Sequence, residues 1–177
     1  MPSFDEPKRM KYLHNAVNEI LRLYPPVPIN GRFAARDTTI KLSDSIQPLL
    51  IRKSDGIAYS TLLLHHRPDI YPPISENFLP PDSFSPECWE YWTPKPWTYI
   101  PFNEGPRICP GQQFALMEIY FTTVRILQRF QYLELVEDPQ IGLDGDDRKQ
   151  FVTTHIVVIP GCPVRVCFWE EGSQSPT

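Results

Sequence analysis

The distribution of proline constrains the fold of this chain more than any other feature of its sequence. Proline has no backbone N–H and a fixed φ angle, so it interrupts helices and interior strands. The chain has 21 prolines among 177 residues, and most of them lie between Pro25 and Pro110. We therefore expect a long, irregular middle segment.

Hydrophobic periodicity predicts the regular elements. Apolar residues that recur at steps of three and four indicate amphipathic helices. Short runs of β-branched and aromatic residues, broken by glycine, aspartate or serine, indicate strands. In chain order these patterns predict a helix at 11–24, strands at 29–40 and 56–64, a short helix at 65–69, a coil at 70–101, a helix at 112–130, and a hairpin of 151–159 with 164–169.

Composition and charge exclude several classes of function. The formal net charge is -4, with acidic and basic residues interspersed, which argues against a nucleic-acid partner. An apolar fraction of 41% in 177 residues is ordinary for one soluble globular domain. The first residues, Met1 to Glu6, contain no apolar run, so we predict neither a signal peptide nor a membrane anchor in this chain.

The cysteines do not form a recognisable metal or disulfide pattern. Cys88, Cys109, Cys162 and Cys167 are widely spread and include no Cys-x-x-Cys pair. This spacing argues against a zinc ribbon, a redox motif and a disulfide framework. A site shared by all four would need their sulfurs within a few ångströms, and the position of Cys162 in a turn disfavours that arrangement.

One cysteine stands in a segment suited to a large ligand, Phe102-Asn103-Glu104-Gly105-Pro106-Arg107-Ile108-Cys109-Pro110-Gly111. A thiolate is favoured at a helix N-terminus, and Arg107 adds a positive charge nearby. Gly105 and Gly111 remove side chains where a flat ligand would approach the backbone, and Phe102 can pack on such a ligand. The alternative is a buried structural cysteine in a Pro- and Gly-rich turn, the usual fate of a lone cysteine.

The pattern Phe-x-x-Gly-x-Arg-x-Cys-x-Gly in this segment resembles the heme-binding loop of the cytochrome P450 family, and every specified position is filled. The resemblance implies heme b (iron protoporphyrin IX) as cofactor, with Cys109 as the axial ligand of the iron. It also implies that Phe102, Gly105, Arg107 and Gly111 surround the heme.

A second signature of the same family lies upstream. Glu19 and Arg22 are three residues apart on one helical face, where they can form an ion pair. On residues alone such a pair is usually solvated. With Tyr24-Pro25-Pro26 following, the helix resembles the Glu-x-x-Arg helix of the family, which implies a buried, structural ion pair. The resemblance also places Arg32 near a heme propionate, where an arginine suits a carboxylate; the alternative is a solvated strand arginine.

The sequence departs from the family at Cys88. The stretch Pro86-Glu87-Cys88-Trp89 stands where the family has Pro-Glu-Arg-Phe or Pro-Glu-Arg-Trp. We expect the missing arginine to leave Glu19 with one partner fewer and to weaken the docking of the coil. The neighbouring histidines, His65 and His66, are interpreted as packing or surface groups rather than iron ligands.

The resemblance covers residues 11–169 and matches the C-terminal part of the family. It implies a fold that is mainly α with small β-sheets (α+β), an incomplete cytochrome P450 domain, with a flexible tail at 170–177. A heme held by this part alone would lie open on its distal face. The resemblance implies a monooxygenase that inserts one oxygen atom of O2 into a lipophilic substrate.

Further properties also follow from the resemblance. It implies an NADPH-dependent reductase as electron donor and, for an intact eukaryotic member, the endoplasmic reticulum membrane. Short strings around Arg32 and Gln112 are similar to fungal alkane and fatty-acid hydroxylases. The alternatives are an inactive truncated remnant, a non-enzymatic heme-binding fragment, and a relative that rearranges peroxides, whose cysteine loop usually departs from this pattern.

Overall fold

A computed structural model of the chain describes residues 9–41, 47–130, 132–135, 151–154, 157–160 and 166–169. In this part of the chain the helices are α1 (Lys11–Leu23), α2 (Thr61–His65) and α3 (Gln112–Arg129). The strands are β1 (Ile29–Phe33), β2 (Thr38–Ile40), β3 (Leu49–Ile51), β4 (Gly56–Ser60), β5 (Tyr132–Leu135), β6 (Phe151–Thr154), β7 (Val157–Pro160) and β8 (Val166–Trp169). Helices and small antiparallel sheets alternate with coil, as the sequence predicts.

The core lies between α1 and α3. Val17 and Leu21, one turn apart on α1, pack with Tyr120 of α3, and each of the three is 6% exposed or less. Burial of one such apolar side chain stabilises the fold by about 1.5–3 kcal/mol. The two segments with the clearest helical periodicity are thus the two that form the core. Three half-buried apolar residues surround this cluster, namely Leu13, Phe102 and Leu116.

The strands of the N-terminal half form two separate antiparallel pairs. β1 pairs with β4, from Ile29 opposite Ser60 to Phe33 opposite Gly56, and β2 pairs with β3. The stretch 29–40 predicted as strand is therefore divided between two sheets, with a bend at residues 35 and 36.

Two predicted boundaries near residue 60 are wrong. The strand predicted to run to Leu64 ends at Ser60, and the helix predicted at 65–69 is instead α2, which ends at His65. The reason is helix capping: the hydroxyl of Ser60 accepts a hydrogen bond from the N–H of Leu63 at 3.1 Å. The leucine-rich run that follows Ser60 then continues as helix, with Thr61 and His65 on its buried side.

The predicted C-terminal hairpin is also wrong. β7 pairs with β6, which precedes it, and β8 pairs with β5. Because β7 is already paired with β6, β8 needs another partner, and that partner is β5. The rings of Phe130 and Phe168 lie 4.9 Å apart, which joins β8 to the end of α3. The predicted turn at 160–163 and the predicted tail at 170–177 lie largely or wholly outside the described residues.

The predicted coil at 70–101 packs through its aromatic rings. The ring of Trp89 lies 4.8 Å from that of Tyr99 and 5.2 Å from that of Trp92. A 3₁₀ turn at Pro86–Glu90 interrupts the coil and contacts α1. Among the described residues, no helix has both the length and the apolar character needed to cross a membrane.

Candidate functional site

The segment between the coil and α3 forms a closed loop, called here the cysteine loop (residues 102–111). The N–H of Cys109 donates a hydrogen bond of 2.9 Å to the carbonyl of Phe102. A 3₁₀ turn, Gly105–Arg107, lies between the two. Because this hydrogen bond joins the two ends of the loop, the folded backbone of the loop fixes the position of Cys109.

Gly105 is required by the protein itself. Its φ angle is +72°, and a Cβ added there would lie 2.8 Å from the ring of Trp97, a distance that side chains do not tolerate. The carboxylate of Glu104 accepts a hydrogen bond of 2.8 Å from the N–H of Trp97. Trp97 thus lies on the side of Gly105 that a side chain would occupy, and the predicted approach of a ligand to Gly105 stays a prediction.

The thiol of Cys109 is accessible at the start of α3. Cys109 is exposed, whereas Cys88 is buried. Gly111 is the N-cap of α3, and a Cβ added to it would lie 3.9 Å from the sulfur of Cys109. Pro110 therefore precedes the cap of the helix.

The residues present fit a heme-thiolate centre. The donor is an exposed sulfur beside the N-terminus of an 18-residue helix, and the positive end of a helix dipole favours a thiolate. Gly111 has no side chain, so no side chain of this residue covers the sulfur of Cys109. Exposed apolar surface suited to a macrocycle is available next to the sulfur at Ile108 (48% exposed) and in the first turn of α3 at Phe114 (75%).

Phe102 anchors the cysteine loop to the core. It is half-buried and packs against the cluster of Val17, Leu21 and Tyr120. The predicted contact of Phe102 with a ligand stays a prediction. The structure shows a contact with α1 and α3, so the loop and the core are one packed unit.

Arg32 lies on the same sheet face as a residue that contacts the cysteine loop. Its guanidinium lies 5.8 Å from the ring centroid of Tyr59, and the hydroxyl of Tyr59 donates a 2.7 Å hydrogen bond to the side-chain oxygen of Asn103. Arg32 itself is exposed and donates to the carbonyl of Gly31 at 2.7 Å. Arg107 is exposed on the 3₁₀ turn of the loop. Both arginines are thus available to an anionic ligand group.

Glu19 and Arg22 form a buried ion pair. Arg22 is 1% exposed and Glu19 0%, and Nε and Nη2 of Arg22 donate to the two carboxylate oxygens at 2.8 and 2.9 Å. Burial acts to lower the pKa of Arg22, but the hydrogen bond and the charge of Glu19 outweigh it, so the pKa is raised. The face of Tyr71 lies 4.7 Å from the guanidinium and adds a cation–π contact.

The expected shortfall of partners at Glu19 does not occur. Besides Arg22, the carboxylate accepts hydrogen bonds from the N–H of Ser85 at 3.1 Å and from the indole N–H of Trp89 at 3.0 Å. Both donors belong to the coil, so Glu19 docks the coil without an arginine at position 88. Cys88 is 0% exposed, and burial, together with the charge of Glu19, raises the pKa of its thiol to about 11.

The sequence analysis did not identify the role of His65. The imidazole is buried, and its Nε2 accepts a hydrogen bond of 2.9 Å from the N–H of Ile100. His66, beside it, is half-buried and bonds the carbonyl of Leu62 through Nδ1 at 2.8 Å. Helical spacing distinguishes the two histidines. His65 lies four residues after Thr61, on the buried side of α2, whereas His66 does not lie on that side.

Comparison with known proteins identifies the family. The sequence model of the cytochrome P450 family matches residues 1–154. The chain is 45% identical over 172 residues, or 96% of its length, to the cytochrome P450 monooxygenase pvhE of Talaromyces variabilis. It is 43% identical over 134 residues, or 74% of its length, to cytochrome P450 52A4 of Candida maltosa. This chain therefore belongs to the cytochrome P450 family.

The fold comparison agrees. The solved structure of a retinoic acid-bound cyanobacterial CYP120A1 superposes with a TM-score of 0.67 and 26% identity over 92% of this chain. The predicted class, mainly α with small β-sheets in a partial cytochrome P450 fold, is confirmed. The chain spans 31% of the length of the Talaromyces relative, 24% of the Candida relative and 34% of the cyanobacterial chain.

The cysteines do not come together in the described part of the chain. No group of three or more histidine, cysteine, aspartate or glutamate side chains is arranged there to hold a metal ion. Cys162 lies outside the described residues. The iron site implied by the family needs a single protein sulfur, and the exposed thiol of Cys109 meets that requirement.

Proposed function

We propose that this chain is the thiolate-ligating part of a heme monooxygenase that inserts one oxygen atom of O2 into a lipophilic substrate, with Cys109 as the axial ligand of heme iron. The observation that carries the proposal is the exposed thiol of Cys109 in a closed loop at the start of α3. A bound heme b supplies the redox centre at which O2 is activated, and thiolate ligation favours cleavage of the O–O bond.

The chain's own residues have separate roles in this proposal. The helix dipole of α3 stabilises the negative charge of the Cys109 thiolate. Arg32 and Arg107 bind the propionates, for which a guanidinium offers paired N–H donors. Phe102 holds the loop against the core, so the sulfur keeps its position when a ligand binds. The buried Glu19 and Arg22 dock the coil that leads into the loop, a structural role.

The substrate and partners follow from the family. We propose a small lipophilic substrate, with alkanes or fatty acids as the first class to test, because the strings around Arg32 and Gln112 are similar to fungal hydroxylases of that class. Electrons come from an NADPH-dependent reductase, and an intact eukaryotic member works at the endoplasmic reticulum membrane. The cysteine loop keeps the standard pattern, which favours oxygenation over peroxide rearrangement.

A second candidate is heme binding without catalysis. Assay of alkane and fatty-acid hydroxylation with NADPH and a fungal reductase separates the two. Oxygen-dependent, NADPH-dependent product that is absent from Cys109→Ser supports the monooxygenase. Heme binding without any product supports the binding module.

Heme ligation is tested by titrating the purified chain with hemin. We expect saturable binding at one heme per chain, with loss of the thiolate-type spectrum in Cys109→Ser. Cys88→Ser is the matched control, because Cys88 is buried beside Glu19 and away from the surface. Equal spectra for the wild type and Cys109→Ser would contradict the assignment of Cys109.

A further inference from the structure

We propose that His65 is a positioning residue for the thiolate: its imidazole holds the end of the coil that leads into the cysteine loop, while its backbone carbonyl binds Arg22 of the buried ion pair. The inference rests on the proposed function, since the loop matters because Cys109 ligates iron. Among the described contacts, the side chain of His65 touches neither the sulfur of Cys109 nor the proposed propionate partners, Arg32 and Arg107.

His65 makes hydrogen bonds through its backbone carbonyl and through one ring nitrogen, Nε2, whereas its buried Nδ1 has no hydrogen-bond partner among the described residues. Its backbone carbonyl accepts a hydrogen bond from Nη1 of Arg22 at 3.3 Å, and its Nε2 accepts one from the N–H of Ile100 at 2.9 Å. The residue is 4% exposed. One residue therefore joins the ion pair in α1 to the end of the coil, two positions before the cysteine loop begins.

The hydrogen bond determines the state of the ring. A backbone N–H can only donate, so Nε2 must carry a lone pair and the neutral ring holds its proton on Nδ1. Burial of the ring disfavours the charged form and lowers the pKa of His65 to about 4, and the nearby charges of His66 and Arg22 act in the same direction. At neutral pH the ring is therefore an acceptor at Nε2.

Ile100 is connected to Cys109 through backbone hydrogen bonds. Ile100 is 7% exposed, and its carbonyl accepts a hydrogen bond of 3.0 Å from the N–H of Asn103. This bond forms a turn around Phe102, whose own carbonyl accepts from the N–H of Cys109 at 2.9 Å. Two backbone hydrogen bonds, through the adjacent residues Phe102 and Asn103, thus link Ile100 to Cys109.

The ring of Tyr99 makes the same junction rigid. It lies 5.1 Å from the ring of His65, and its hydroxyl donates to the carbonyl of Asn18 in α1 at 3.1 Å. The coil is therefore fixed to α2 and to α1 at successive residues. Loss of the His65 acceptor would leave the buried N–H of Ile100 without its hydrogen-bond partner. The resulting loss of free energy would destabilise the contact between the coil and α2.

The test compares variants by hydrogen exchange of the full chain without heme. His65→Leu removes the acceptor and fills the space, while His65→Gln keeps an acceptor at a similar reach. His66→Leu is the matched control, because His66 bonds Leu62 within α2. His65→Asn, too short to reach Ile100, provides a second polar variant in case His65→Leu fails to fold.

We expect His65→Leu, or His65→Asn in its place, to raise exchange about tenfold or more across residues 100–109, because a lost hydrogen bond of about 1.4 kcal/mol is a factor of ten. His65→Gln is expected to restore protection, and His66→Leu to leave it unchanged. Equal exchange in all four variants, or an equal rise with His65→Gln and His65→Leu, would overturn the positioning role.

A spectrum of the heme-loaded, reduced, CO-bound chain gives the second readout. A positioning role predicts that His65→Leu converts part of the bound heme from the thiolate-ligated band to the shorter-wavelength band of heme without thiolate, and that His65→Gln keeps the wild-type ratio. A merely structural role would lower the amount of folded protein and leave that ratio unchanged. If the wild type itself lacks the thiolate band, the proposed function fails, and hydrogen exchange still decides the role of His65.

Discussion

Tyr59 in β4 donates a 2.7 Å hydrogen bond to the side chain of Asn103 in the cysteine loop. Asn103 has a φ angle of +62°, a left-handed conformation that asparagine tolerates better than most residues. The same tyrosine ring faces the guanidinium of Arg32 at 5.8 Å. The side chain of Tyr59 therefore links the β1–β4 sheet, which carries Arg32, to the cysteine loop, which carries Cys109.

Tyr59→Phe removes only the hydroxyl of this contact. We expect the free energy of unfolding to fall by about 1 kcal/mol, the usual net value of such a hydrogen bond. Heme affinity is expected to fall as well, because the cysteine loop loses its hydrogen bond to the β1–β4 sheet, while the ring that faces Arg32 remains. Urea denaturation and hemin titration measure the two effects. Tyr91→Phe, at a residue 63% exposed, is the control, and an equal effect in both variants would contradict this role for Tyr59.

Trp89→Phe tests the hydrogen bond that the indole N–H of Trp89, in the coil, donates to Glu19. The change keeps an aromatic ring beside Tyr99 and Trp92 but removes the indole N–H that donates to Glu19. We expect a loss of about 1.5–3 kcal/mol in the free energy of unfolding, because the acceptor is a charged, buried carboxylate. Trp92→Phe is the matched control. If both variants lose the same stability, packing and not the hydrogen bond is the contribution of Trp89.

Arg22→Leu tests the buried ion pair. The substitution leaves Glu19 charged in a site that is 0% exposed, and we expect it to destabilise the chain by about 3–5 kcal/mol. Arg67→Leu breaks the ion pair of Arg67 with Asp69, in which both side chains are more than half exposed, and should change stability little. Thermal unfolding of the two variants makes the comparison. A small effect of Arg22→Leu would show that the coil docks without the ion pair.

The stability of the chain should depend on pH through His65. Its pKa is about 4 in the folded chain against a reference of 6.5, so the unfolded state takes up the proton first. The stability that comes from the neutral ring is complete above pH 6.5 and is lost as the pH falls toward about 4. The loss is on the order of 3 kcal/mol. Urea denaturation at several pH values should show this component in the wild type and not in His65→Gln, which retains Arg22 and His66 as its charged neighbours.

A similar acid dependence in both proteins would assign the loss of stability to carboxylates instead of to His65. Asp69 is one such group, since its hydrogen bond with Arg67 lowers its pKa, but both of these side chains lie on the surface. The difference between the two curves, and not either curve alone, therefore reports on His65.

Local patterns in the sequence were sufficient for the two long helices, α1 and α3. The apolar spacing in 11–24 and 112–130 sets the buried faces of α1 and α3, and the closest matches between prediction and structure are these two helices. The proximity of Glu19 and Arg22 also follows from helix geometry alone. Features of this kind depend on residues that are close in the chain.

Contacts between distant residues could not be predicted in this way. Nothing local shows that His65 meets Ile100, or that Trp89 supplies the hydrogen bond that an arginine was expected to provide. The pairing of β8 with β5 depends on which strand is left without a partner once β6 and β7 have paired. Such contacts follow from the packing of whole elements, whereas the cap at Ser60, which ends β4, was a local signal that the prediction overlooked.

The central claim is that the thiolate of Cys109 binds heme iron, and the most direct measurement is the CO difference spectrum of the reduced, hemin-loaded chain. We predict the long-wavelength Soret band that gives the cytochrome P450 family its name, present in the wild type and in Cys88→Ser and absent from Cys109→Ser. A wild-type chain that binds hemin without this band, or a Cys109→Ser variant that keeps it, would contradict the assignment of Cys109.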